Sequence, residues 1–159
     1  MSSNNPNISE PPKKFIKSPS DLTTLKNDPD FHPIVWIDCE SGLTKKVVES
    51  EQTLKQVEQE LYDYILKYTN PKTAVLAGNS VHMDRAFMMR EMPKVLDHLH
   101  YRIIDVSTLT EISRRHNKTL LNKLPPKKGA HTARADILES IEQLKWYQDN
   151  YLKSPEDEK

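Results

Sequence analysis

The stretch PIVWIDCESGLTKKVVES, residues 33–50, joins two segments of different character. Residues 34–39, IVWIDC, form a continuous β-prone run, short enough for a strand buried on both faces. From about Leu43 the pattern changes to apolar residues at helical spacing with charges between them. Two carboxylates, Asp38 and Glu40, close the strand. Spaced two apart on a strand, their side chains leave the same face at its C-terminal end.

Working outward, the chain alternates strands and helices. Val47, Val48, Leu54, Val57, Leu61, Ile65 and Leu66 lie at helical spacing over residues 43–68, as one long or one broken amphipathic helix. KTAVLAGNS reads as a second strand ending at Gly78, followed by helical periodicity in VHMDRAFMMREMPKVLDHL with an interruption at Pro93. YRIIDV is a third strand, Ser107 a helix cap, and 108–116 a helix. NKTLLNKLPPKKGA reads as a basic loop, and Thr132 caps a last helix running to about Tyr151. This order predicts an α/β fold with parallel pairing and right-handed crossovers.

Composition bounds the rest. Six of the eleven prolines fall in residues 1–33 among Ser, Asn and Lys, without apolar periodicity, so 1–32 is expected to be a disordered polar arm. Residues 153–159 read as an acidic tail, leaving 33–152 as the folded domain. Lys+Arg and Asp+Glu balance at 23 each, which argues against bulk electrostatic attraction to nucleic acid while allowing a local basic cleft. One cysteine, Cys39, excludes an internal disulfide and fits a reducing compartment. No apolar run approaches the ~20 residues that span a bilayer. The N-terminus carries no secretory h-region, and its acids with no arginine argue against a mitochondrial transit peptide. The expected location is cytoplasmic, with the mitochondrion as the alternative.

In an open α/β sheet ligands bind outside the C-terminal ends of the strands, where Asp38 and Glu40 stand. A D-x-E pair alone is equally an ordinary solvated strand end. Two further acids raise the functional reading: Asp84 near the start of the second helix and Asp136 near the start of the last, each favoured there by the helix dipole. Four carboxylates without a Cys/His ligand set suit a hard, oxygen-seeking ion, Mg²⁺ or Mn²⁺. Two such ions ~3.5–4 Å apart activate a water and stabilise the leaving oxygen of a phosphodiester. His131, just ahead of the last helix, is either a surface-loop histidine or the general base for that water.

VWIDCE, AGNSVHMDRAF, HYRIIDVSTL and HTARADILESI resemble the successive motifs of the oligoribonucleases, small DEDDh-type 3′-to-5′ exonucleases with an RNase H-like fold. The resemblance extends over most of residues 41–152 and implies metal-dependent removal of nucleotides from short RNA oligomers by a homodimer. Carried over motif by motif, Asp38, Glu40, Asp84 and Asp136 match the metal carboxylates and His131 the catalytic histidine. Ser80, His100 and Arg102 match positions that hold the far phosphate of the substrate. Tyr101 matches the tyrosine that approaches the site from the neighbouring subunit. A hydroxyl, an imidazole and a guanidinium make a sensible phosphate clamp, although His100 and Arg102 alone would pass as ordinary strand-end residues.

The chain departs from the family at its opening stretch. There the D-x-E strand continues as E-M-T-G-L, two further strands and a loop, before the helix that here begins at SGLTKKVVES. The expectation is a truncated sheet of about three parallel strands, with the outer strands missing. Two functions follow: an active exoribonuclease, or a catalytically impaired member that serves as a dimerising or nucleic-acid-binding chain.

Overall fold

A computed structural model describes residues 23, 25–39, 49–126 and 132–152. Glu40, the expected helix start at 43–48, His131, most of the N-terminal arm and the acidic tail lie outside the described residues.

Three parallel strands form one sheet in the order β1 (Ile34–Trp36), β2 (Val75–Gly78), β3 (Ile103–Asp105). Register pairs Val35 with Leu76 and Ala77 with Ile104. β2 is central because its side chains are small or branched and sheltered: Ala74, Leu76 and Ala77 are fully buried. The crossover from β1 to β2 contains α1 (Leu54–Tyr68), opened by a capping box in which Thr53 and Gln56 exchange hydrogen bonds. From β2 to β3 the chain runs through α2 (Val81–Glu91) and α3 (Pro93–His98). Pro93 separates them, since its ring cannot continue a helix but suits a first turn. Beyond β3 come α4 (Val106–His116), α5 (Lys118–Leu121) and α6 (Ala133–Asn150), the last capped by the Thr132 hydroxyl on the Ala135 N–H.

Ile65, Leu76, Val81, Met88, Val95 and Leu99 make the core between the sheet and α1 to α3. Each such side chain withdrawn from water contributes about 1.5–3 kcal/mol. Val35 and Ile37 pack against this core but are only partly buried.

Four expectations need correction. The first strand is three residues long and not buried on both faces: Ile34 is 41% exposed, because β1 pairs with β2 on one side and is the sheet's edge among the described residues. The helix after it is described from Leu54, where the capping box sets its start. The cap of α4 is Asp105, whose carboxylate accepts from the Ser107 N–H, so the helix begins at Val106. The basic loop contains the short α5, opened by the Asn117 side chain accepting from the Leu120 N–H. Among the described residues no helix is long and apolar enough to cross a membrane.

His98 closes α3 in the interior, its Nε2 2.9 Å from the Thr69 hydroxyl and its ring edge-on to Tyr62. Burial lowers its proton affinity below the ordinary histidine value of 6.5, partly opposed by a hydrogen bond from Thr69 and reinforced by nearby Lys72. The folded state therefore binds the proton less well than the unfolded chain. Stability from this site is complete above the unfolded value and falls as pH drops through it. The denaturant midpoint is expected to decline between pH 7.5 and 5.5, with a shallower decline in His98→Gln. Equal slopes would remove His98 as the cause.

Candidate active site

The three strands end together, and the side chains gathered there come from four elements. The end of β1 is held by Asp84: the Cys39 N–H donates to Asp84 Oδ1 at 2.7 Å. Asp84 lies in the first turn of α2 and is only 7% exposed. Its position follows from the turn before it. A side chain at Gly78 would place Cβ 2.9 Å from the Ile37 carbonyl oxygen, so only glycine lets the ends of β1 and β2 approach this closely. Ser80 then adopts a left-handed conformation (φ 54°, ψ 30°), uncommon for a residue with Cβ. Its N–H is secured at 2.9 Å by Asp105 Oδ1 from the end of β3. The Ser80 hydroxyl makes no cap bond to α2.

Asp136 reaches the same end through a clamp on α6. Asn79, directly after β2, donates to Ser140 Oγ at 2.8 Å and Gln143 Oε1 at 3.0 Å. Ser140 Oγ donates in turn to the Asp136 carbonyl at 2.8 Å. Gln143 and the Tyr147 hydroxyl both reach Thr110 of α4, which fixes the helix from its other side.

Asp38, Asp84 and Asp136 thus stand on three elements joined at one end of the sheet. Glu40 and His131 lie outside the described residues, and among the described residues no group of three or more His, Cys, Asp or Glu side chains is placed to hold a metal ion. The donors on Asp38, Asp84 and Asp136 are all carboxylate oxygen, the chemistry that suits Mg²⁺ or Mn²⁺. Cys39 does not add a soft ligand or nucleophile. Burial pushes its thiol up to about 12, with Asp84 and then Asp38 adding to the shift, so it stays protonated near neutrality.

His100, Tyr101 and Arg102 are placed elsewhere. They precede β3, whereas Asp38 and Ser80 follow β1 and β2. The parallel register carries Asp38 level with Asn79 and His100 level with Thr73, about 20 Å away along the sheet at the ordinary strand rise. The three form a stack: the His100 and Tyr101 rings lie 4.5 Å apart and the Arg102 guanidinium sits 5.1 Å from the Tyr101 centroid. Tyr101 projects from this stack, 68% exposed. The grouping of Ser80 with His100 and Arg102 around one phosphate does not occur within a single chain.

Residues passed over by the sequence reading include Asn79 and the pair His82 and Asp105, with His82 Nδ1 3.2 Å from Asp105 Oδ2. The signal for Asp105 was present in the order D-V-S directly after a strand, which is capping chemistry.

Comparison with known proteins agrees with this architecture. Residues 35–144 match the family described as Exonuclease. The mitochondrial oligoribonuclease of Saccharomyces cerevisiae is 62% identical over 118 residues, 74% of this chain and 44% of that protein. The human mitochondrial oligoribonuclease is 42% identical over 154 residues, 96% of this chain and 62% of that protein. The oligoribonuclease of Neisseria gonorrhoeae is 42% identical over 112 residues, 70% of this chain and 63% of that protein. The chain therefore spans about half to two thirds of the length of these relatives. With most of its length matched and the α/β sheet in place, the chain belongs to the exonuclease family, with an RNase H-like fold, and is similar to the oligoribonucleases.

Proposed function

We propose that the chain is a 3′-to-5′ exoribonuclease that shortens small RNA oligomers to 5′-mononucleotides at the C-terminal end of its sheet. The observation that carries this reading is the hydrogen bond from Cys39 N–H to Asp84 Oδ1, which ties the α2 carboxylate to the strand end bearing Asp38. Asp38, Glu40, Asp84 and Asp136 would hold two Mg²⁺ or Mn²⁺ ions. When bound, such ions lower the pKa of a water and offset charge on the leaving oxygen. His131, one residue ahead of the Thr132 cap of α6, accepts the proton of the attacking water on an imidazole nitrogen. Ser80, held in its strained turn by Asp105, offers its hydroxyl to a substrate phosphate.

His100, Tyr101 and Arg102 serve the site of a second copy. Their distance from Asp38 along the sheet and the exposure of Tyr101 support a homodimer in which each chain supplies this stack to its neighbour. Short RNA is the partner that fits the site. The mitochondrion, named for the yeast and human relatives, is the compartment we infer in place of the cytoplasm. A ribopentamer labelled at its 5′ end tests the direction of attack. In Mg²⁺ it should shorten by single nucleotides from the 3′ end; internal cuts or release of the 5′ label first would contradict the reading.

The junction after Glu40 sets the chain's stability. β1 is an edge strand, with Ile34 exposed and Val35 and Ile37 only partly covered. Covering a few hundred Å² of apolar surface at ~25 cal/mol per Å² is worth several kcal/mol, comparable with the whole stability of a small domain. Restoring the family's two-strand segment after Glu40 is expected to raise the denaturant midpoint, reduce aggregation at the exposed edge and increase turnover. Equal midpoint, oligomer size and dinucleotide hydrolysis in the two forms would show that the three-stranded sheet is self-sufficient.

A further inference from the structure

His82 and Asp105 take no part in the metal and proton roles above. Asp105 collects four donors. Its Oδ1 accepts from the Ser80 N–H at 2.9 Å, the Ser107 N–H at 3.0 Å and the Ser107 hydroxyl at 2.6 Å, and Oδ2 faces His82 Nδ1 at 3.2 Å. Burial alone would raise its proton affinity, but the hydrogen bonds from Ser107, His82 and Ser80 outweigh it and hold the carboxyl below its ordinary value. Asp105 is therefore an anion and accepts only, which requires His82 Nδ1 to carry a proton. The other ring nitrogen, Nε2, is turned away from Asp105, on a side chain that is 61% exposed.

This arrangement is not needed to satisfy Asp105, whose burial is already answered by three donors from Ser80 and Ser107. Its consequence falls on His82: an exposed ring that would otherwise rotate is fixed with one nitrogen outward. That nitrogen lies in the turn between Ser80 and Asp84, at the mouth of the sheet.

We infer that His82 is a substrate-binding residue whose Nε2 donates to a phosphate oxygen of the short RNA, with Asp105 as its positioning residue. With acceptors on both sides the ring binds as imidazolium, taking one proton from solvent. The placement of the phosphate rests on the exoribonuclease reading; the contact itself does not require turnover.

The test is a calorimetric titration of a 5′-phosphorylated ribodinucleotide into the full chain in EDTA, so that affinity is read without hydrolysis. Loss of a charged hydrogen bond predicts that His82→Ala weakens binding about 10- to 100-fold. His82→Lys, which returns a cationic donor, should recover part of it, a rescue that a purely structural histidine would not give. Wild-type affinity in His82→Ala, no recovery in His82→Lys, or no binding by the wild type would each overturn the inference. Binding that depends on His82, in a chain that releases no mononucleotide in Mg²⁺, would uphold the contact and refute the exoribonuclease reading.

Discussion

Asp84→Asn is expected to abolish hydrolysis of short RNA while leaving the fold intact. Asparagine keeps an oxygen where Asp84 Oδ1 accepts the Cys39 N–H, so the bond tying α2 to the end of β1 survives. What disappears is one negative charge among carboxylates gathered to hold cations, with almost no change in volume. Asp84→Ala is different, because it also leaves the Cys39 N–H without its acceptor and costs about 1–3 kcal/mol of stability. The pair separates chemistry from architecture: Asn should lose turnover with a denaturant midpoint near wild type, and Ala should lose both. Turnover that survives in Asp84→Asn would remove Asp84 from the site.

The second large effect is expected at His131. As general base it must be unprotonated to accept the water's proton, so the rate should rise with pH through the neutral range where histidine ordinarily titrates. His131→Ala should slow the reaction by ~10²–10⁴-fold and flatten that limb. The flattening is the more specific readout, since an altered loop conformation lowers the rate without changing its pH dependence. A small rate change with the same profile would make His131 a surface histidine. Its place beside Thr132 makes the cap a useful control, because the Thr132 hydroxyl starts the helix that carries Asp136.

Much of the α/β order is legible in the sequence because the period of apolar residues changes where the structure does. Ala74, Leu76 and Ala77 are buried as a continuous run should be in a central parallel strand, and Val57, Leu61 and Ile65 share the core-facing side of α1. The same rule misleads for Ile34, Val35 and Trp36, since an unbroken apolar run implies cover on both faces but says nothing of whether a neighbouring strand exists to provide it. Asp38, Asp84 and Asp136 are recognisable one by one from strand ends and helix starts. The contacts that bring them together are not. Asp84 meets Cys39, and Asn79 meets Ser140, across long sequence separations that depend on the close approach at Gly78.

The separation of His100 from Ser80 could have been inferred. One precedes a strand and the other follows its parallel neighbour, so they lie at opposite ends of the sheet. Motif order alone conceals this, because it records which residues occur and not which end of the sheet they occupy. The His82 and Asp105 pair was harder to anticipate, since it needs both the register of Gly78 opposite Asp105 and a serine in a left-handed turn.

The most direct measurement is release of 5′-mononucleotide from a ribodinucleotide by the full chain across a Mg²⁺ titration beginning in EDTA. If Asp38, Glu40, Asp84 and Asp136 hold catalytic ions, release is absent in EDTA and rises to saturation as Mg²⁺ is added. Release that persists in EDTA, or none at any Mg²⁺ concentration from a chain shown to be folded, would contradict it.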